Sequence, residues 1–378
     1  MDFQFSEEQQ LLADTVKRLV DRDYDFEARK KILHSDAGYS TQAWGALGEM
    51  GIFGLALGEA AGGFGMGVMG MVPIMEQIGH GLLLEPVVAT LVGAKMIELL
   101  DAEGQAALLG ELAQGRCRLA VAVQEPGADI GAASVSMTAA KSGDGWRLSG
   151  EKTMVVHAPM AERLLVCARV SGKAGESDGL AVFLVDADAT GLKQRTMRTV
   201  DGYRAADLVF DDVPASAVGE PGAAHAAVEA ALDFGNLLTC AEGVGAMDSA
   251  NAATLEYIKN RKQFGVPIGA FQALQHRMVD MTVSAQQARS MLYKACDAFD
   301  RATAGEIDAR ARMHMVSAAK IKIADAARQV GQDAIQLHGG MGMTDEMKVS
   351  HTFKRLTMIS QQFGDIDHHL ARFAATEG

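Results

Sequence analysis

The stretch "RKQFGVPIGAFQALQH", residues 261–276, places a glycine-proline-glycine bend between two long runs of helical period. Proline in such a link stops the preceding helix, because its ring fixes φ and removes an N–H donor. Upstream, apolar residues recur at helical spacing over 223–260; downstream they do so over 271–304, 306–337 and 346–375. Four helices of that length with short connections predict an antiparallel bundle. A capped interhelical turn explains the glycines and the proline, but not why Arg261, Gln263, Phe264 and Gln272 crowd one bend. A guanidinium, two amides and an aromatic ring suit an adenine nucleotide: charge for pyrophosphate, donors for ribose or base edge, and a face for stacking.

On the N-terminal side of the bundle the pattern changes. Between Cys117 and about Gly219 lie short apolar or alternating runs, "RLAVAV", "RLLVCARV", "LAVFLVDA" and "ADLVF", separated by turn residues. No helical run of useful length separates them, so a compact antiparallel β-domain is expected rather than βαβ units. "SGDGW" (142–146) carries an Asp-Gly pair at the expected hairpin turn. The first third is mostly helical, opening with Ser6 and Gln9 in capping-box spacing ahead of Leu12, Val16, Leu19 and Val20. The expected architecture is α+β, as three domains: helical 1–116, β 117–220 and a helical bundle 221–378.

Composition limits the function classes. A chain of 378 residues exceeds one growing core, so two or three packed units are expected. A formal charge of −13 argues against nucleic acid or an anionic membrane as partner. The most apolar region, 51–100, is interrupted by Glu59, Glu76, His80, Glu85 and Lys95, so no membrane insertion is expected. The opening "MDFQFSEEQQLLADTV" runs directly into an amphipathic pattern, and no secretory leader is expected. Cys117, Cys167, Cys240 and Cys296 are scattered without ligand spacing, which fits a reduced, cytoplasmic protein.

Three further stretches are ambiguous. "GMGVMG" (65–70) satisfies GxGxxG, but no strand precedes it, so it is not read as a nicotinamide site. "AIQLHGGMGMT" (334–344) ends a helix with Gly339 and Gly340 beside Gln336 and His338, which suits a C-cap and a phosphate-contacting loop equally. "FGDIDHHL" (363–370) offers acids, bases and ligands together. Adjacent His368 and His369 diverge by about 100° on a helix, so no metal site is expected there. Asp365 and Asp367 read as first-turn acids of a helix.

The two motifs at 261–276 and 334–344, with "AVQEPGADIG" (122–131) and "GEKTMVV" (150–156), resemble the acyl-CoA dehydrogenase family. The resemblance runs from Phe3 to Arg372 and keeps the order α, β, α. Within the family, "DFEARKK", "RKQFGVPIGAFQALQH" and "FGDIDHHL" resemble most the small subunit of pimeloyl-CoA dehydrogenase and related two-subunit enzymes acting on dicarboxylic or steroid side-chain thioesters. The resemblance implies FAD, an acyl-CoA substrate, a trans-2-enoyl-CoA product and an electron-transfer flavoprotein as acceptor. It also implies that Arg261, Gln263, Phe264, Gln272, Gln336, Gly339 and Gly340 reach the adenosine and pyrophosphate of a neighbouring subunit's FAD.

Family positions closer to the chemistry are altered. The usual base, a glutamate near the C-terminus, falls on Phe363, and the alternative position on an earlier helix falls on Gly235. Where the family has a threonine before the "EPGA" glutamate this chain has Gln124, and where it reads "WIT" beneath the flavin this chain reads Met154, Val155 and Val156. The reading that follows is a subunit of an α2β2 enzyme whose homologous large subunit supplies the isoalloxazine pocket and the base. The alternatives are a self-sufficient homotetramer with a base relocated to Glu242 or Asp365, and a flavin-free acyl-CoA-binding scaffold.

Overall fold

Ser6 opens the first helix through a local exchange: its hydroxyl accepts the Gln9 N–H at 3.2 Å and its own N–H donates to Gln9 Oε1 at 2.9 Å. The computed structural model describes residues 5–376; Phe3 and the outer ends of the first and third expected domains lie outside the described residues. The helices are α1 (Glu7–Asp23), α2 (Phe26–His34), α3 (Thr41–Glu49), α4 (Gly67–Gly81), α5 (Val87–Asp101) and α6 (Ala106–Ala113). Strands β1 (Leu119–Ala122), β2 (Thr138–Ser142), β3 (Gly145–Val156), β4 (Arg163–Arg169), β5 (Leu180–Asp186), β6 (Leu192–Arg198) and β7 (Arg204–Gly222) follow. The chain returns to helix with α7 (His225–Asn260), crosses a hairpin of β8 (Lys262–Gln263) and β9 (Val266–Pro267), and continues as α8 (Gln272–Thr303), α9 (Ala309–His338), α10 (Lys348–Ile359) and α11 (Ile366–Ala375). The mixed architecture of helical, β and helical segments is the one expected. No helix among the described residues is long and apolar enough to cross a membrane.

Two compact units emerge. One gathers Met1–Lys30, Val68–Leu83 and Asn236–Gly378; the other gathers Lys31–Gly67 and Leu84–Gly235.

In the helical unit, α4 and α7 touch backbone to backbone. A Cβ on Gly79 would lie 1.9 Å from the Glu242 carbonyl oxygen, and one on Gly245 would lie 1.9 Å from that of Glu76. Any side chain at these two places would push the helices apart. Helix α9 packs against α8, α10 and α11. The expected single run over 346–375 is corrected here to two helices. Lys320 of α9 donates to the carbonyls of Ile359 at 2.7 Å and Gln362 at 2.6 Å, which satisfies the C-terminal end of α10 and stops it. Phe363 and Gly364 then take φ of 57° and 108°, and Asp365 caps α11 rather than lying in its first turn. Among the described residues, five α-helices therefore follow Gly222, not four.

In the β unit the strands run β1-β4-β2-β3-β7-β5, with β5 also pairing β4, so five strands close a ring; β6 adds to β7. Leu148, Val166, Phe183 and Val213 fill its apolar interior with several alanines. Most pairings are antiparallel, as expected, but two depart from that pattern: β1 runs parallel to β4, and β2 meets β4 in parallel at Thr138 and Arg169. Parallel neighbours need a crossover, and the β2–β3 hairpin provides it between β1 and β4. The hairpin turn is also one residue off the expectation. Ser142 pairs with Gly145, so Gly143 at φ 58° and Asp144 make the turn.

These contacts predict opposite effects for two glycine substitutions. Gly245→Ala lowers stability by about 3 kcal/mol or more, since backbone has to shift. Gly110→Ala, in α6 with open space around it, raises stability by about 0.5–1 kcal/mol. Urea unfolding of the two variants against the parent measures both.

Candidate functional site

In the helical unit the 261–276 bend is a β-hairpin whose turn is Phe264-Gly265, with φ of 53° and 82°. Positive φ at both central residues matches the twist of a two-residue hairpin. Glycine accepts it freely; Phe264 does so at a cost, and its side chain is 92% exposed. The Phe271 ring stands edge-on to it at 6.1 Å. The foot of the hairpin is fixed, because the Arg261 N–H donates to the Tyr257 carbonyl and the Ile268 N–H to the Arg261 carbonyl, both at 2.8 Å. The Arg261 side chain is exposed and forms no ion pair among the described residues. Gln263 donates to the Lys262 carbonyl at 2.7 Å, and exposed Gln272 begins α8.

At the end of α9 the C-cap reading of "LHGGMG" is the one the backbone shows. Gly339 is the C-cap, with φ 59° and its N–H bonded to the Gln336 carbonyl, and a tight turn continues over Gly339–Met343. A Cβ on Gly339 or Gly340 would meet nothing within 4 Å, so the backbone is open to approach. Gln336 is exposed beside it. The two motifs are joined by a residue that the sequence did not single out: the Tyr257 ring stacks on His338, with centroids 4.4 Å apart and planes at 26°.

The positions that would carry a base look different. Phe363 is half-buried, and its carbonyl accepts a hydrogen bond from His369 Nε2 at 3.0 Å. With Nε2 donating, Nδ1 of the buried ring accepts from the Ser317 hydroxyl at 3.3 Å. A neutral imidazole satisfies both contacts, with the Ser317 hydroxyl donating to Nδ1. Burial, with the nearby Lys320 ammonium, pushes the His369 pKa down to about 3, although the Phe363 carbonyl acts in the opposite direction. Asp365 spends Oδ1 on the His368 N–H at 2.9 Å. Gly235 lies buried within α7. Glu242, two turns further along, is fully buried, and both its oxygens are held by Arg355, at 2.5 Å from Nε and 2.7 Å from Nη2.

In the β unit, Glu125 and Lys152 form a buried pair at 2.7 Å. The carboxylate also accepts the Met137 N–H at 2.9 Å and the N–H and hydroxyl of Ser136, while Lys152 donates to the Val123 carbonyl at 2.9 Å. Burial raises the Glu125 pKa, but Lys152 and these donors outweigh it and hold the group below the usual carboxylate range. The Gln124 amide is turned onto the Ala128 carbonyl at 2.8 Å. Opposite Asp207 the strand bulges. Asp207 Oδ1 accepts the Thr153 hydroxyl at 2.7 Å and the Met154 N–H at 3.1 Å, which leaves Met154 at φ 50° and 42% exposed. Val155 is buried and Val156 half-buried, so residues 154–156 present neither an aromatic ring nor a hydroxyl.

Family models agree over nearly the whole chain: the acyl-CoA dehydrogenase N-terminal domain matches residues 6–116, the middle domain 120–213 and the C-terminal domain 225–376. The chain belongs to the acyl-CoA dehydrogenase family of FAD-dependent oxidoreductases. A 3-(aryl)acrylate reductase of Clostridium sporogenes is 27% identical over 325 residues, covering 83% of this chain and 84% of that one. A variant of the Tcur3481-Tcur3483 steroid ACAD is 30% identical, with a TM-score of 0.85 and coverage of 98% and 97%. The ChsE4-ChsE5 complex from Mycobacterium tuberculosis is 25% identical, with a TM-score of 0.87 and coverage of 99% and 98%.

Two stability measurements follow from the buried groups. His369 is neutral when folded, with a pKa of about 3, but titrates near its ordinary value of about 6.5 when unfolded. The unfolded state therefore binds more protons below about pH 6.5, so this contribution is fully present above that pH and is lost as pH falls toward 3. In His369→Gln the slope of stability between pH 6.5 and 4 should shrink by up to about 1.4 kcal/mol per pH unit, read from urea midpoints. Glu242→Gln should cost about 3–5 kcal/mol because it takes from the buried Arg355 guanidinium the carboxylate that holds it through two hydrogen bonds, and adding Arg355→Met should recover part of that loss. Thermal unfolding of the single and double variants reads this out.

Proposed function

We propose that this chain is one subunit of a two-subunit acyl-CoA dehydrogenase that oxidises an acyl-CoA thioester to the trans-2-enoyl-CoA. A homologous larger chain provides the isoalloxazine pocket and the base. The single observation that carries this reading is a split within the chain. Arg261, Phe264, Gly339 and Gly340 stand exposed and open as an adenosine-pyrophosphate ligand requires, with Gln263, Gln272 and Gln336 around them. FAD fits at that end. At the ring end it does not, because 154–156 bring no stacking face and no hydroxyl, and Gln124 is occupied by its own loop.

When bound, FAD supplies the acceptor for the β-hydrogen as hydride. The α-proton is weakly acidic and needs a desolvated carboxylate within reach. Phe363 and Gly235 offer none. Of the relocated candidates, Glu242 is neutralised by Arg355 and Asp365 serves as a helix cap. This chain's role is then to bind and orient the dinucleotide across a subunit boundary. The paired names of Tcur3481-Tcur3483 and ChsE4-ChsE5 support a heteromer, here α2β2. The similarity to a steroid ACAD supports a bulky side-chain thioester, beside the dicarboxylic substrates suggested by the likeness to the pimeloyl-CoA dehydrogenase small subunit. We take the domains as 1–116, 117–220 and 221–378, electron-transfer flavoprotein as the electron acceptor, and the cytoplasm as the compartment. Four free, buried cysteines are consistent with that compartment.

The test is flavin absorbance per polypeptide, with acyl-CoA turnover, for the chain alone and with a homologous large subunit. The chain alone should hold little flavin and turn over no substrate, and the pair should recover both. Full flavin occupancy with dehydrogenase activity in the lone chain would sink the proposal.

A further inference from the structure

The hairpin and the diglycine turn come from different helices, so their spacing depends on what joins those helices. The hairpin is anchored to α7: the Tyr257 carbonyl holds the Arg261 N–H, and a Cβ on Gly269 would come within 3.0 Å of the Ile258 carbonyl oxygen. The diglycine turn is anchored to α9 through His338, which is buried and whose Nδ1 donates to the Ala334 carbonyl at 2.8 Å. The turn folds back onto that residue, since a Cβ on Gly342 would lie 2.9 Å from both the His338 Cβ and the Ile335 carbonyl oxygen. His338 is therefore fixed by its own helix, by the returning turn and by the Tyr257 ring.

We propose that Tyr257 and His338 are a positioning pair whose stack sets the distance between the Arg261 hairpin and the Gly339–Gly340 turn, and so the affinity for a pyrophosphate-bearing nucleotide. The proposal rests on the reading of these two motifs as the dinucleotide end. Neither ring needs to touch the ligand. Tyr257 acts through Arg261, four residues along its own chain, and His338 acts through the glycine that follows it.

ADP, the adenosine-pyrophosphate half of FAD, is the probe, titrated calorimetrically into the purified full chain. Tyr257→Leu and His338→Ala should each weaken ADP binding by roughly 3- to 10-fold, the range a stacked aromatic pair is worth. The double variant should be no weaker than the worse single one, because either change removes the same contact. His338→Phe keeps a ring in place and should stay within about twofold of the parent by the same measure. This rescue also covers the case in which His338→Ala fails to fold, as checked by circular dichroism. Arg261→Ala separates the two proposals. If it weakens ADP while the Tyr257 and His338 variants do not, the positioning pair is overturned and the nucleotide end stands. If ADP does not bind the parent, or Arg261→Ala leaves binding unchanged, the nucleotide end falls and the pair with it.

Discussion

A carboxylate in a protein interior has to be matched by a cation and by donors, and in this chain that requirement governs how the buried charges are placed. Glu242 sits fully buried on α7, where the backbone of that helix presses on α4 at Gly79 and Gly245, and Arg355 of α10 closes over both its oxygens. The same rule recurs wherever a polar group enters the core. Lys320 is spent on the carbonyls that end α10, His369 on the carbonyl of Phe363, and Lys152 on Glu125 and the loop it anchors. These side chains hold the turn after α10 and the loop after β1 in fixed shapes. Their contacts, as seen here, are with the protein's own backbone and side chains.

What could be read from the sequence divides along the same line. Short-range partnerships were legible: Ser6 and Gln9 are three residues apart, and the 261–276 hairpin carries its own glycines and proline. The break in the run 346–375 was not, because residues 360–365 carry one glycine and the decisive partner, Lys320, lies 39 residues before Ile359. The turn in "SGDGW" slipped by one residue because two glycines flank Asp144, and the choice between them is made by strand register, with Trp146 opposite Lys141 and packed near Phe183. Parallel pairing of β1 with β4 is likewise a tertiary fact that no alternation pattern encodes.

The candidate site follows suit. Arg261, Phe264, Gly339 and Gly340 were visible because each belongs to a contiguous motif with more polar and glycine residues than a turn requires. Tyr257 was hidden in a helix of ordinary composition, and only the stack on His338 gives it meaning. Glu125 and Lys152 stood inside recognised motifs, yet their pairing across 27 residues was beyond what spacing shows.

The division of the chain into two units has a consequence for how it is made. The unit built around the β ring ends at Gly235, whereas the helical unit takes its pieces from Met1–Lys30, Val68–Leu83 and everything from Asn236 onward. On a ribosome, the ring and its flanking helices are complete while most of the helical unit is still unsynthesised, at roughly 5–20 residues per second. During that interval α4 is out of the tunnel while most of α7, which its backbone touches, is missing. Gly79 and Glu76 of α4 wait for the α7 backbone at Glu242 and Gly245, while Met71 and Met75 of the same helix are buried in the finished protein. For a nascent chain of this topology the vulnerable state is the half-made one, and its sticky surface is N-terminal.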